Sequence, residues 1–113
     1  MQTVKFVAGV IAGLWLLAGP AQAATLNLSW TNNSTVATGV DVERCLGAGC
    51  TTFAKIGGVD GNVSAFADNT VAENQTACYR VRATQGAVTS NYSNTACGTT
   101  GIANPTGLTV TVP

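Results

Sequence analysis

The stretch ACYRVRATQ, residues 77–85, alternates without a break: Tyr79, Val81 and Ala83 fall on one face, and Cys78, Arg80 and Arg82 on the other. A period of two sustained over this length is that of a strand with one buried face. Gly86 follows, a residue suited to a turn, and then the run VTSNYSNTAC, residues 88–97. If Cys78 and Cys97 face each other across neighbouring strands, the turn is centred between Ala87 and Val88, with Gly86 beside it. Cys78 points away from the Tyr79 face, so a Cys78–Cys97 bridge is expected on the outer side of a sheet.

The same period runs outward through the chain. Leu26, Leu28 and Trp30 share one face of LNLSW, residues 26–30. In VDVERC, residues 40–45, Val40 and Val42 oppose Asp41, Glu43 and Cys45. Phe53 and Ile56 are the expected core contacts of TTFAKIGGV, and Phe66 and Val71 those of SAFADNTV. No window sustains a 3.6-residue period, and glycine punctuates the runs. The expected class is all-β, a two-sheet sandwich of six or seven short strands.

The first residues read differently. Lys5 precedes the apolar run FVAGVIAGLWLLAG, and Pro20 leads into Ala21-Gln22-Ala23, a small-x-small cleavage site. Residues 1–23 are expected to be a signal peptide. The apolar run is shorter than a membrane span requires, so no span is expected once the leader is cleaved. The mature chain then carries four cations against five carboxylates, and a third of its residues are Thr, Asn or Ser. Such a surface offers no basic field for nucleic acid or anionic lipid. The expected location is secreted, extracellular or at the cell surface.

All four cysteines lie beyond the leader, and an even count in an exported chain reads as two disulfides. Cys45 and Cys50 enclose a four-residue loop suited to a closed hairpin, and Cys78 with Cys97 has the register given above; the other pairings have no such local logic. The C-x4-C spacing is poor for zinc. There is no histidine in the chain. The serines therefore lack a histidine base, and Asp41 and Glu43 share a strand face expected to be solvated and paired with Arg80 and Arg82. Asp60 lies in a turn with too few oxygen ligands for calcium. Asp68 is expected to close a turn through its own backbone. No enzyme, metal or cofactor is expected.

Taken together, LNLSW, GVDVERC, TTFAKIGGV, FADNTV, CYRVRA and YSNTAC resemble the fibronectin type III family over residues 26–97, most strongly at Trp30 and at Tyr79-Arg80-Val81-Arg82-Ala83. The resemblance implies that Trp30 and Tyr79 are core residues. It also implies a non-catalytic module acting as spacer, adhesion surface or protein-binding unit. One departure is Ala77, near which the family usually has a tyrosine entering the sixth strand.

A second departure concerns the ends. A family member opens with a strand beside the one bearing the tryptophan, yet only Ala24 and Thr25 precede LNLSW in the mature chain. At the far end, NPTGLTVTVP, residues 104–113, looks like that opening strand displaced, with Leu108, Val110 and Val112 alternating against Thr109 and Thr111. Residues 24–103 are thus expected to form the domain, and 104–113 a C-terminal strand. Three fates are open to it. It can fold back on its own domain, where seven linking residues make an antiparallel return tight and a reversed direction relaxes it. It can enter the next molecule by strand addition at the edge formed by Leu26, Leu28 and Trp30, giving a head-to-tail filament resembling a pilus. It can also remain an unstructured stub. The leading expectation is donation between molecules; the alternative is a monomeric extracellular adhesion module for a surface protein or glycan.

Overall fold

The computed structural model describes residues 23–113, and these form seven strands. The expected signal peptide lies outside the described residues, save for Ala23, which begins β1. The strands are β1 (Ala23–Ser29), β2 (Gly39–Leu46), β3 (Ala54–Asp60), β4 (Ala65–Ala72), β5 (Thr76–Gln85), β6 (Val88–Thr89) and β7 (Ala96–Thr99). No helix among the described residues is long and apolar enough to cross a membrane.

Two sheets face each other. One holds β1 and β4 alone; the other has the order β3-β2-β5-β6, with β7 also paired to β5. All these pairings are antiparallel. On β1, β2 and β5 the inward side chains are those the alternation selects, because a pleated strand sends every second residue to the same face; β3 and β4 each cross a register shift, so Ile56 with Val59 and Phe66 with Val71 turn inward at odd spacing. Val40 and Val42 of β2, Val71 of β4, and Ala77, Tyr79 and Val81 of β5 make the buried core, with Leu26, Leu28, Trp30, Ile56, Val59 and Phe66 packed against it.

The poles of the sandwich are fixed by register. Ala23 pairs with Ala72 and Ser29 with Ala65, while Thr76 pairs with Thr99. The start of β1, the β4–β5 turn and the end of β7 therefore share one pole. The β1–β2 loop, the β3–β4 turn and the β5–β6 turn share the other. There the backbone packs so closely that a Cβ on Gly61 would collide with the Ala37 carbonyl.

The β5–β6 turn corrects one expectation. Gln85 pairs with Val88, so the turn is the two-residue Gly86-Ala87, with Gly86 at a φ of 59°. Glycine takes that left-handed conformation without a Cβ penalty. Cys78 nevertheless pairs with Cys97. Two surplus residues on the returning strand are absorbed by the irregular segment between β6 and β7. There serine hydroxyls replace ladder carbonyls: Ser93 Oγ accepts from the Val81 N–H at 3.0 Å, and Ser90 Oγ from the Ala83 N–H at 2.9 Å.

Candidate functional site

Among the described residues the smaller sheet ends at β1, whose one ladder partner there is β4. On its other edge no described strand pairs with its backbone donors and acceptors. Across from it, on the larger sheet, run β7 and the irregular segment before it. Between them lies a groove of about 720 Å³, lined by Leu26, Leu28 and Trp30 on one wall and by Tyr79, Ala96 and Gly98 on the other. Leu26, Leu28 and Trp30 are half-buried, although they sit on the inward face of their strand. A sandwich completed on this side would cover them.

The two ends of the groove are held. Leu26 packs over Gly98, where a Cβ would stand 3.4 Å from a leucine methyl. At the other end the Trp30 indole N–H donates to Asn32 Oδ1 at 2.9 Å, and Asn32 Nδ2 donates to the Val63 carbonyl at 2.9 Å. The indole is oriented while part of its surface lines the groove.

Residues 104–113 form no strand within their own chain and do not enter this groove. Leu108, Val110 and Val112 are 93%, 87% and 89% exposed. The path to them is pinned at the pole where β1 begins. The Thr100 N–H donates to the Gln75 carbonyl, the Gly101 carbonyl accepts from the Asn74 N–H, and the Ala103 N–H donates to Glu73 Oε1 at 2.7 Å. Five Cα steps separate Ala103 from Leu108, at most about 17 Å of extended chain. The seven steps from Ala23 to Trp30 span about 23 Å of strand. With Ala103 anchored, Leu108 falls short of the Trp30 end of its own β1, where a strand running antiparallel to it must start. The linker counted from the sequence was longer because these three anchors are tertiary contacts.

A second cluster covers the outer face of the larger sheet. Glu43 faces Arg80 and Asp41 faces Arg82 in the β2–β5 register. Arg80 meets Glu43 at 2.8 Å, Lys55 meets Asp41 at 3.1 Å, and Arg82 Nε lies 3.6 Å from Asp41. The Arg80 guanidinium lies between aromatic rings, 3.7 Å from the centroid of Tyr92 and 4.3 Å from that of Phe53. Phe53 thus serves the outer face and not the core expected for it, because it precedes β3 and turns over the β2–β5 surface. The Tyr92 hydroxyl donates to Glu43 at 2.8 Å. Burial works to raise the Glu43 pKa, but the hydrogen bonds from Tyr92 and Arg80 outweigh it and hold the carboxyl below its usual value. The same bond to Glu43 raises the Tyr92 pKa.

Below this ladder lie the disulfides, Cys45–Cys50 and Cys78–Cys97. Cys45 and Cys78 are register partners, so the bridges stack side by side on the outer face, and both residues are buried there. The sulfurs of Cys45, Cys50 and Cys78 lie within 4.8 Å of one another. Each is consumed in a disulfide and offers no thiolate to a metal. Intact disulfides of this kind persist in oxidising compartments.

A third cluster crosses the core. Asp68 on β4 is 3% exposed. Its Oδ2 accepts from the Tyr79 hydroxyl at 2.7 Å and from Arg44 at 2.9 Å, while Oδ1 accepts from the Thr70 hydroxyl and N–H. The local role expected of Asp68 is present in the Thr70 bonds, and the tertiary fold adds a larger one, tying the two sheets together through Tyr79 and Arg44. Burial alone would raise the Asp68 pKa; the bonds from Thr70, Tyr79 and Arg44 overcome it and bring the value down to about 2. The Tyr79 pKa is pushed up by burial and by its bond to that carboxylate. The signal was readable: Arg44 continues the inward alternation of Val40 and Val42, and Asp68 that of Phe66, so opposite charges occupy facing inner surfaces.

None of these clusters is built for chemistry. Their charges are neutralised by fixed partners, and no nucleophile–base pair is present among the described residues. The sequence matches no protein-family model and no curated protein. Among solved structures it is similar to one described as a myokine structure, with a TM-score of 0.57 and 15% identity, covering 73% of this chain and 87% of that one. The fold is a fibronectin type III-like sandwich. At that identity the likeness is one of fold alone.

Proposed function

We propose that this protein is an extracellular, strand-accepting structural module, and that the strand it accepts is residues 104–113 of a neighbouring copy. The observation that carries the reading is the open β1 edge facing a groove while an alternating apolar segment of the same chain stands unpaired. The groove presents Leu26, Leu28 and Trp30 at every second position; the tail presents Leu108, Val110 and Val112 at the same spacing. Antiparallel entry sets Leu108 by Trp30, Val110 by Leu28 and Val112 by Leu26. Backbone bonds to the β1 edge supply affinity, and the three apolar side chains supply register. The contact is heterologous, so repetition gives an open head-to-tail filament.

A second reading is a monomeric extracellular module that binds a surface protein or glycan. The likeness in fold to a solved structure supports this reading and lends nothing to assembly. One experiment separates the two. The chain from Ala24 onward is compared with the same chain lacking residues 104–113 by light scattering over a concentration series. Assembly of the full chain and its loss on deletion are expected. In parallel, a synthetic peptide of residues 104–113 is titrated into the deleted chain. Trp30, the one tryptophan beyond the leader, is expected to shift its emission to the blue as the groove closes. A full chain that stays monomeric at high concentration, with no response to the peptide, establishes the second reading instead.

A further inference from the structure

The exposed large apolar side chains are not scattered. Outside the tail they are Val36, Leu46, Val63, Val88, Tyr92 and Ile102. Tyr92 is accounted for by Glu43 and Arg80. The other five divide between the two poles. Val36 lies in the β1–β2 loop, Val63 in the β3–β4 turn and Val88 beside the β5–β6 turn, all at the pole where β1 ends. Leu46 closes β2, paired with Ala77 at the start of β5, and Ile102 follows β7; both lie at the opposite pole, where the tail departs.

Resting on the strand-donation reading, we infer that successive copies meet pole to pole, with Val36, Val63 and Val88 of the acceptor seated against Leu46 and Ile102 of the donor. The tail leaves a donor at the pole where β1 begins. A strand antiparallel to β1 must enter an acceptor at the pole where β1 ends. The two bodies are therefore joined by opposite poles, those that carry the exposed apolar residues. Residues 104–107 separate the last anchored residue, Ala103, from the first inserted one, Leu108, and these five Cα steps span about 17 Å at most. Pro105 fixes one φ in that span and stiffens it further. So short a tether cannot hold two inserted domains apart. It presses the poles together and takes the apolar groups out of water. Among the described residues no lysine or arginine lies at either pole; the charged groups there are Asp60 on the acceptor side and Glu73, which holds the Ala103 N–H, on the donor side, so no ion pair spans the joint and apolar contact carries it.

The test uses three versions of the chain from Ala24 onward: wild type, Val36→Asp with Val88→Asp, and Ile102→Asp. Circular dichroism confirms that each is folded, and binding of the peptide of residues 104–113 is measured by Trp30 emission on versions lacking their own tail. The critical concentration for assembly is expected to rise at least about tenfold in both variants, since burial of one valine exceeds the free energy that a tenfold change represents. Peptide binding is expected to be unchanged, because none of the substituted residues lines the groove. Unchanged assembly in both variants, with the peptide still binding, overturns the pole contact and leaves strand donation standing. Failure of the wild type to assemble, or of the peptide to bind, overturns strand donation and the joint together. Val36→Ser with Val88→Ser replaces the acidic pair if that pair does not fold, and the same outcomes apply.

Discussion

The Tyr79 hydroxyl donates to the Asp68 carboxylate at 2.7 Å, joining β5 of the larger sheet to β4 of the smaller one through the core. Arg44 reaches the same oxygen from β2 at 2.9 Å. One buried carboxylate therefore fixes the relation of two sheets that share no backbone hydrogen-bond ladder. This matters for the proposed function, since the smaller sheet has two strands and must hold β1 in place while its outer edge is open.

Removing either partner is expected to loosen that relation. Tyr79→Phe deletes a hydrogen bond to a charged group and should cost about 1.5–3 kcal/mol of unfolding free energy. Asp68→Asn leaves Arg44 without its counter-charge in a half-buried position and should cost more, about 2–4 kcal/mol. Urea denaturation followed by far-ultraviolet circular dichroism measures both. An Asp68→Asn variant as stable as wild type would show that the carboxylate's charge is not needed.

The same carboxylate sets an acid limit. Its folded pKa, about 2, lies below its ordinary value of 3.8, so the folded state binds the proton more weakly than the unfolded chain does. A depressed carboxyl contributes stability that is complete above the unfolded value and is lost as pH falls through the folded one. Glu43, also lowered, acts in the same direction. Stability should be level from neutral pH to about 5, then fall between about pH 4 and 2, with Asp68 accounting for about 2 kcal/mol. Denaturant midpoints measured across this range test the window, and Asp68→Asn should flatten the curve.

The two disulfides should differ in weight. Cys78–Cys97 closes a separation of 19 residues and Cys45–Cys50 one of 5. Loop-closure entropy gives about 3 kcal/mol for the first and about 2 kcal/mol for the second. Paired Cys→Ala variants, compared by thermal unfolding, should rank in that order. The longer bridge also ties β7, one wall of the groove, to β5. Its loss should weaken binding of the peptide of residues 104–113, whereas loss of the Cys45–Cys50 bridge should leave that binding intact.

Local alternation determined much of this protein. A period of two put Val40, Val42, Tyr79 and Val81 inward and Cys45, Cys78, Arg80 and Arg82 outward, and that required no knowledge of neighbours. The cysteine spacings set the two bridges for the same reason, since each closes a segment short enough for strand register to decide. Tertiary structure decided what depends on which sheet faces which. Phe53 left the core for the guanidinium of Arg80. Asp68 became the link between sheets. The surplus residues after Gly86 became a serine-bridged segment that walls the groove. The three contacts at Thr100, Gly101 and Ala103 shortened the tether of NPTGLTVTVP, so an alternating apolar segment legible in the sequence stays exposed and cannot reach the open edge of its own β1 in the antiparallel sense. Periodicity is a property of one strand; reach and exposure are properties of the packed pair of sheets.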